Sequence, residues 1–354
     1  MLGTRPVFSH NPITTTVLFN REIATLLNEK CSQCHVENGL AMSLQTYADV
    51  RPWAVAIKEE ILARRMPPWP AERGYGAFAN DIGLTLREQE FLISWIDGGV
   101  PEGDGTPPPH QDHSAHWMLG EPDVIHAATQ SAATTASGAG GLVRFTIDPQ
   151  VRAETWISAL DFKPADKRTI RFAFFSVAAT GQYLGGWTPW SSVTKLPENA
   201  AFRLPAKAAI NVDVLYSGST PPAAPARLGL YLAKSHLHRV DTIVLEGRGA
   251  AAEGRVNASQ ALGAATTLVG LRIDMSAGAK SLELKAMRPD GSFESLLWIR
   301  NYRQNWQTPF VFRSPVALPR GALLSASAYF EPRVQTPRRV RVTFNGYETP
   351  PRAQ

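Results

Sequence analysis

The sequence has little cysteine, little charge and no long apolar runs, and each shortage excludes a class of protein. Two cysteines in 354 residues are too few for a disulfide framework or for a cysteine-based zinc site. No run of about 18 apolar residues occurs, so no transmembrane segment is predicted. Charged residues make up 19% of the chain without a dense Lys/Arg segment, so a nucleic-acid partner is not expected.

Glycine and proline, in contrast, are plentiful, with 27 of each, and 44% of the residues are hydrophobic. This composition favours β-sandwiches with many turns over a helical bundle. The length suggests two or three domains. A net charge of +5 is mild, although a basic face could attract an acidic protein partner.

Both cysteines lie in one C-x-x-C-H run, Cys31-Ser32-Gln33-Cys34-His35. This run is the attachment signature of c-type haem. Two thiols one turn apart can form thioethers to the two vinyl groups of a porphyrin, and the adjacent imidazole can bind the iron. The alternatives are a redox dithiol, half of a zinc site, or chance. No cysteine remains to complete a zinc site, and a thioredoxin-like dithiol does not require His35 and expects a βαβ context. We therefore predict one covalent haem c.

A haem iron bound by His35 has a sixth position that is either ligated or open. Met66 is the main candidate for this position, because it follows a helical pattern and precedes two stiffening prolines, and because a thioether stabilises ferrous iron. Met42 is the rival. Two further alternatives stay open: that these methionines only pack in the core, and that the iron keeps an open site for peroxide or a gas.

The spacing of apolar residues around the motif predicts three helices. The first, over residues 21–30 with Asn20 as N-cap, leads into the C-x-x-C-H run. A second follows Pro52 and ends before Pro67. The third begins at a capping box, Thr85 with Glu88, and stops at Gly98-Gly99.

Residues 17–104 as a whole resemble a bacterial monohaem, class I-like cytochrome c module. The resemblance implies an electron carrier with Met66 as axial ligand. Because bacteria attach such haem outside the cytoplasm, it also implies a periplasmic or otherwise extracytoplasmic location. Residues 1–16 lack the apolar region of a signal peptide, so we expect a mature or truncated N-terminus. The matching segments are Cys31 to His35, Ser43-Leu44-x-Thr46-Tyr47, Val50-Arg51-Pro52-Trp53-Ala54, Arg65-Met66-Pro67-Pro68-Trp69 and Trp95-Ile96-Asp97-x-Gly99.

Beyond this module, the pattern changes to short alternating runs separated by turn residues, which predicts two all-β, jelly-roll-like sandwich domains. The expected organisation is multidomain: a small all-α cytochrome c domain followed by the two sandwiches. The linker carries His110, His113 and His116, whose spacing could bind a metal weakly, but a solvated linker is the better interpretation. The predicted boundaries are 1–16 for an N-terminal extension, 17–104, 105–116 for the linker, 117–234 and 235–354.

Residues 117–345 resemble the two-sandwich core of copper type II, ascorbate-dependent monooxygenases of the peptidylglycine- and dopamine-hydroxylating type. Bacterial chains fuse such a core to a cytochrome module. The matching segments are Leu119-Gly120-Glu121-Pro122-Asp123, Ala159-Leu160-Asp161-Phe162-x-Pro164, Leu196-Pro197-Glu198-Asn199-Ala200, Leu204-Pro205, Leu228-Gly229-Leu230-Tyr231-Leu232-Ala233, Arg288-Pro289-Asp290-Gly291 (a strong hairpin turn), Asn305-Trp306-Gln307 and Leu318-Pro319-Arg320-Gly321.

The copper ligands of that family are missing here. Histidine is expected where the chain has Arg171, Phe172, Leu215, Leu268 and Gly270, and no methionine follows Met287 to supply the late thioether. His236 and His238 form a His-x-His pair away from the family's ligand positions.

The sequence therefore predicts a monohaem electron carrier with thioethers at Cys31 and Cys34 and with His35 and Met66 as iron ligands. Copper is not expected, and the sandwiches would serve docking or assembly with a redox protein, which could belong to a larger membrane-associated complex. The alternative is a copper-dependent monooxygenase that receives electrons from the haem and binds copper through unrecognised ligands.

Overall fold

A computed structural model describes residues 14–109, 116–127, 134–135, 142–164, 166–217, 226–235, 238–250, 252–332 and 336–349. The chain divides into two compact units. The helical unit comprises Met1–Trp69 and Ile82–Asp112, and the β unit comprises Pro70–Asp81 and His113–Gln354. The sequence had placed residues 70–81 with the helices. Within the described residues, no helix is long and apolar enough to cross a membrane.

The helical unit is built from four short helices around a small apolar core. Trp95 is fully buried at its centre, and its indole Nε1 donates to the carbonyl oxygen of Pro101 at 2.9 Å. The ring centroids of Phe19 and Trp95 lie 6.0 Å apart, which joins the first and last helices. The elements are a π-helical turn at Phe19–Ile23, α1 (Ala24–Lys30), α2 (Tyr47–Val50), a 3-10 turn at Arg51–Trp53, α3 (Ala54–Leu62) and α4 (Leu86–Asp97).

The predicted start of α4 is confirmed, and the predicted cap of the first helix is wrong. Thr85 Oγ1 accepts from the backbone N–H of Glu88, and the Glu88 carboxylate accepts from the N–H of Thr85. At the first helix, Leu18 is the N-cap, and its N–H donates to the Glu22 carboxylate at 2.9 Å. Asn20 instead donates its side-chain amide to the carbonyl oxygens of two distant glycines, at 2.8 and 2.9 Å.

The β unit contains two sandwiches, which confirms the β-sandwich structure predicted beyond the linker. Strands of the first sandwich are β1 (Val124–Ala127), β2 (Thr134–Thr135), β3 (Val143–Ile147), β4 (Thr155–Lys163), β5 (Ile170–Val177), β6 (Tyr183–Trp187), β7 (Val193–Lys195), β8 (Ala200–Leu204), β9 (Ile210–Tyr216) and β10 (Arg227–Leu232). Those of the second are β11 (His238–Gly249), β12 (Arg255–Ala261), β13 (Thr266–Met275), β14 (Ala279–Met287), β15 (Phe293–Ile299), β16 (Phe310–Leu318), β17 (Leu323–Phe330) and β18 (Arg338–Glu348).

One nine-stranded sheet runs through both sandwiches in the order β1-β10-β4-β8-β11-β18-β13-β16, with β7 paired to β4. Its two halves are joined by a parallel pairing of β8 with β11, from Ala200↔His238 to Phe202↔Val240. A five-stranded sheet, β2-β3-β9-β5-β6, shares the core of the first sandwich, and a four-stranded sheet, β12-β17-β14-β15, completes the second. Because they share a sheet, the sandwiches form one compact unit.

The hairpin predicted at residues 288–291 is confirmed between β14 and β15. The N–H of Arg288 donates to the carbonyl oxygen of Ser292 at 2.7 Å. Gly291 has a φ of +83°, a conformation that glycine adopts without a steric penalty.

Candidate haem-attachment site

The C-x-x-C-H run forms a tight turn directly after α1. The N–H groups of Cys31 and Ser32 both donate to the carbonyl oxygen of Leu27, and those of Cys34 and His35 both donate to that of Cys31. The turn therefore places two cysteines and a histidine on one short, hydrogen-bonded stretch of backbone. The Cys31 side chain packs against the apolar core of the helical unit.

Neither cysteine is part of a disulfide, so a disulfide does not compete with thioether formation. Burial raises the pKa of the Cys31 thiol to about 12, with the neighbouring Cys34 acting in the same direction and Lys30 opposing it. The thiol is thus held neutral at physiological pH.

His35 is oriented by one hydrogen bond to the backbone. Its Nδ1 lies 2.9 Å from the carbonyl oxygen of Met42, to which only a protonated Nδ1 can donate. Burial lowers the pKa of the imidazole, and the Met42 hydrogen bond opposes that shift. The ring is therefore neutral, with its unprotonated Nε2 pointing away from Met42, as an iron ligand requires.

The loop that carries Met42 returns to the motif through a close backbone approach. A Cβ at Gly39 would overlap the carbonyl oxygens of Cys34 and Val36, so only glycine fits there. Leu44 then donates its N–H to the carbonyl oxygen of His35 at 3.0 Å. Sequence reasoning missed this use of the Met42 carbonyl, because no side-chain pattern encodes it.

The two candidate methionines differ in their surroundings. Met66 follows α3 and is partly buried, whereas the Met42 side chain is 38% exposed. Neither thioether belongs to the apolar core of the helical unit, as far as the described residues define it.

In the β unit, two positions at which the resemblance led us to expect histidines are occupied by packed apolar side chains. Phe172 and Leu215 face each other across β5 and β9, and both are buried with Phe174 and Tyr183. Arg272 covers this cluster, with its guanidinium 4.2 Å from the Phe174 ring centroid. These side chains offer no donor to copper.

The other three positions at which histidine was expected also pack against protein groups. The Arg171 guanidinium lies 5.4 Å from the ring centroid of Trp306. Leu268 is fully buried, and a Cβ at Gly270 would lie 2.8 Å from the carbonyl oxygen of Phe310. Each of the three positions is thus filled or closed by packing.

The remaining histidines are scattered. The ring of His238 stacks on that of Tyr347, with the ring centroids 4.5 Å apart. Burial lowers the pKa of the His126 imidazole. His116 is exposed. Within the described ranges, no three His, Cys, Asp or Glu side chains gather as a metal site. His110, His113 and His236 lie outside the described residues.

No model of a known protein family and no curated protein matches the chain. Solved structures show a weak similarity. The major capsid protein of bacteriophage PM2 has a TM-score of 0.31 at 8% identity, over 64% of this chain and 98% of the other. PNGF-II has a TM-score of 0.28 at 9% identity, over 65% of this chain and 66% of the other. A triple jelly-roll protein of an archaeal virus has a TM-score of 0.22 at 8% identity, over 63% of this chain and 59% of the other. Similarity at this level carries no argument about function.

Proposed function

We propose that the helical unit is a c-type cytochrome module that holds one haem through Cys31 and Cys34, with His35 as proximal ligand, and that the chain carries single electrons. The observation that carries this proposal is the 2.9 Å hydrogen bond from His35 to Met42. It selects the tautomer whose Nε2 could bind iron, directly beside two cysteines that are not in a disulfide.

Met66 is the proposed second iron ligand. The Met42 backbone lies on the Nδ1 side of His35, away from the nitrogen that would bind iron, which favours Met66 over Met42 as the second ligand. Met66 follows α3 and is not used by the core among the described residues. A haem in this site would supply one-electron exchange between ferric and ferrous iron, and a thioether ligand from Met66 would favour the ferrous state.

For the β unit we propose a role in docking or assembly with a redox protein partner, outside the cytoplasm, without copper chemistry of its own. The support is the inventory of donors. Phe172 and Leu215 pack in a buried apolar cluster, and Arg171 stacks on an indole. None of these side chains can replace an imidazole.

The covalent haem is tested by the mass of the purified, coloured protein, which should exceed that of the polypeptide by one haem. The Cys34→Ala variant should retain haem poorly, through at most one thioether. Gln33→Ala, which lies between the two cysteines, is the matched control and should keep the full haem content. Haem that extracts freely into acidified organic solvent would contradict the proposal.

A further inference from the structure

Residues 70–81 belong to the β unit, although they lie between α3 and α4 in the sequence, and we call them the edge cover. Ala71 forms an antiparallel bridge with Ile299 on β15, and Phe78 forms one with Phe312 on β16. Among the described strands, β15 is the last of the four-stranded sheet and β16 is the last of the nine-stranded sheet. The edge cover therefore pairs with an outer edge of both sheets of the second sandwich.

The edge cover binds β16 much as an additional strand would. The carbonyl oxygen of Val311 accepts from the N–H of Ala79 at 2.8 Å, and the N–H of Val311 donates to the side-chain Oδ1 of Asn80 at 3.2 Å. The Nδ2 of the same amide donates to the carbonyl oxygen of Pro309 at 2.6 Å. Backbone groups that an edge strand would offer to another chain are thus satisfied within this one.

Aromatic side chains anchor the edge cover on both strands. Phe78 is only 3% exposed, and its ring centroid lies 5.1 Å from that of Phe310 and 5.5 Å from that of Phe312. On β15, the ring of Tyr75 meets that of Trp298 edge-on, with the ring centroids 4.7 Å apart. Burial and hydrogen bonding together make the edge cover a packed part of the sandwich, unlike an exposed loop.

The stretch of β16 under the edge cover differs in composition from the stretch beyond it. At the end of the covered stretch, the N–H of Arg313 donates to the carbonyl oxygen of Ala77 at 2.8 Å. Ser314 and Pro315 follow and are exposed, and proline has no N–H to offer to a further strand. The covered stretch, Phe310-Val311-Phe312, contains neither charge nor proline. An aromatic and β-branched run of this kind is prone to pair with another chain once its edge is free.

Two glycines in the edge cover have the same backbone conformation but different surroundings. Gly74 and Gly76 have φ values of +83° and +82°. A Cβ on Gly76 would overlap the carbonyl oxygen of Leu296, whereas a Cβ on Gly74 would meet nothing within 4 Å. The docked edge cover thus requires glycine at position 76 for space, and at position 74 only for backbone freedom.

We infer that the β16 edge at Phe310-Val311-Phe312 is a pairing site for the same edge of a second copy of this chain, and that the edge cover keeps the chain monomeric by occupying it. A second copy fits because an identical edge, turned antiparallel, offers the same donor and acceptor of Val311 and the same two phenylalanine rings. Two identical edges that pair in this way are related by a two-fold axis, so the product is a closed dimer. The inference does not depend on the haem.

The test compares Phe78→Ala with Phe293→Ala in the full-length protein. Two quantities are measured: hydrogen exchange at the Ala79 and Arg313 amides, and the molar mass by light scattering over a range of protein concentrations. The wild type should be a monomer. Phe78→Ala should speed exchange by about a hundredfold or more, as the loss of a buried phenylalanine implies, and should dimerise as the concentration rises. Phe293→Ala, on a ring of the same sandwich that is 68% exposed, should resemble the wild type in both.

Adding Val311→Pro to Phe78→Ala identifies the surface that pairs, because it removes the N–H with which β16 would bind a second copy. This double variant should return to the monomer, and Val311→Lys, which puts a charge on the same edge, should act alike. Should Phe78→Ala fold poorly, Gly76→Ala undocks the edge cover by another route, with Gly74→Ala as its control for positive φ.

Three results would overturn the inference. The first is a variant with fast exchange that stays monomeric at every concentration. The second is a dimer that persists with either substitution at Val311, because another surface would then be pairing. The third is a wild type that already dimerises, or an edge cover whose exchange stays slow in both Phe78→Ala and Gly76→Ala.

Discussion

His35 shows how a backbone contact decides what a side chain can do. A free imidazole exchanges between two tautomers, and either nitrogen can bind a metal. Here the carbonyl oxygen of Met42, 2.9 Å from Nδ1, selects the tautomer with its lone pair on Nε2. The same contact places the Met42 backbone on the Nδ1 side of the ring, away from the nitrogen that would bind iron, and this favours Met66 over Met42 as the proposed second ligand.

Replacing Met66 with Ala should therefore abolish the far-red band of the ferric protein and lower the reduction potential, because the soft donor that favours ferrous iron is removed. Met42→Ala is the control and should preserve both properties, since alanine keeps the backbone carbonyl that His35 uses. Visible spectroscopy and a redox titration measure the two effects. The opposite pattern, with the band lost only in Met42→Ala, would move the ligand to Met42.

The role of a residue was predictable where its hydrogen-bond partner lies close in the sequence. It was not predictable where the partner is far away in the sequence. Thr85 and Glu88 cap α4 as predicted, because both halves of a capping box lie within four residues. Asn20 fits an N-cap equally well by composition, yet its amide binds the carbonyl oxygen of Gly103, 83 positions later. A single sequence contains no signal for such a partner.

At the scale of elements, α4 offers a test of its cap. Thr85→Ala should lower the free energy of unfolding by about 1 kcal/mol, because the N–H of Glu88 loses its acceptor. Leu86→Ala is the control: that side chain is 73% exposed, so its removal should change little. Denaturant unfolding followed at the haem absorption reports on this unit. Equal effects of the two substitutions would show that the cap contributes nothing.

Strands β5 and β9 contain two positions at which the resemblance led us to expect histidines, and their contribution to stability can be tested. Phe172→Ala should lower the free energy of unfolding by about 3–5 kcal/mol, as expected for a buried phenylalanine. Phe293→Ala, on an aromatic ring that is 68% exposed, should cost far less. Thermal denaturation with and without added Cu(II) provides the measurement. A Phe172→His variant that copper stabilises strongly would indicate that a metal site survives around this position.

The strands themselves were largely predictable, since alternating burial leaves a period of two in the sequence. The position of residues 70–81 was not predictable. These residues follow the Met-Pro-Pro-Trp segment and were assigned to the helical part, but the side-chain amide of Asn80 donates to the carbonyl oxygen of Pro309, 229 positions later. The covering of a sheet edge is decided by which edges the finished sandwich exposes, and local patterns do not carry that information.

At the scale of the whole molecule, the proposed function separates two kinds of chemistry. The helical unit would supply the donors for the proposed haem from a single turn of chain, Cys31 to His35. The β unit is far larger and is organised by a continuous nine-stranded sheet, and Phe172 and Leu215, where the resemblance led us to expect histidines, pack against aromatic and aliphatic side chains. Under the proposed function, electron transfer would need only the first unit, and the second would contribute by its shape and contacts.

The final prediction is that the full-length protein retains no stoichiometric copper. Two oxygenase coppers require about six side-chain donors, and residues 117–354 contain only His126, His236 and His238. Arg171 also brings a fixed positive charge to a ligand position, and in a partly buried site this repels a cation by several kcal/mol.

After loading with Cu(II) and desalting, the copper-to-haem ratio should be far below one. A chelator should leave the unfolding temperature unchanged, because no metal-binding free energy contributes to folding. A ratio near two, with ascorbate-dependent oxygen uptake, would replace the electron carrier with a monooxygenase.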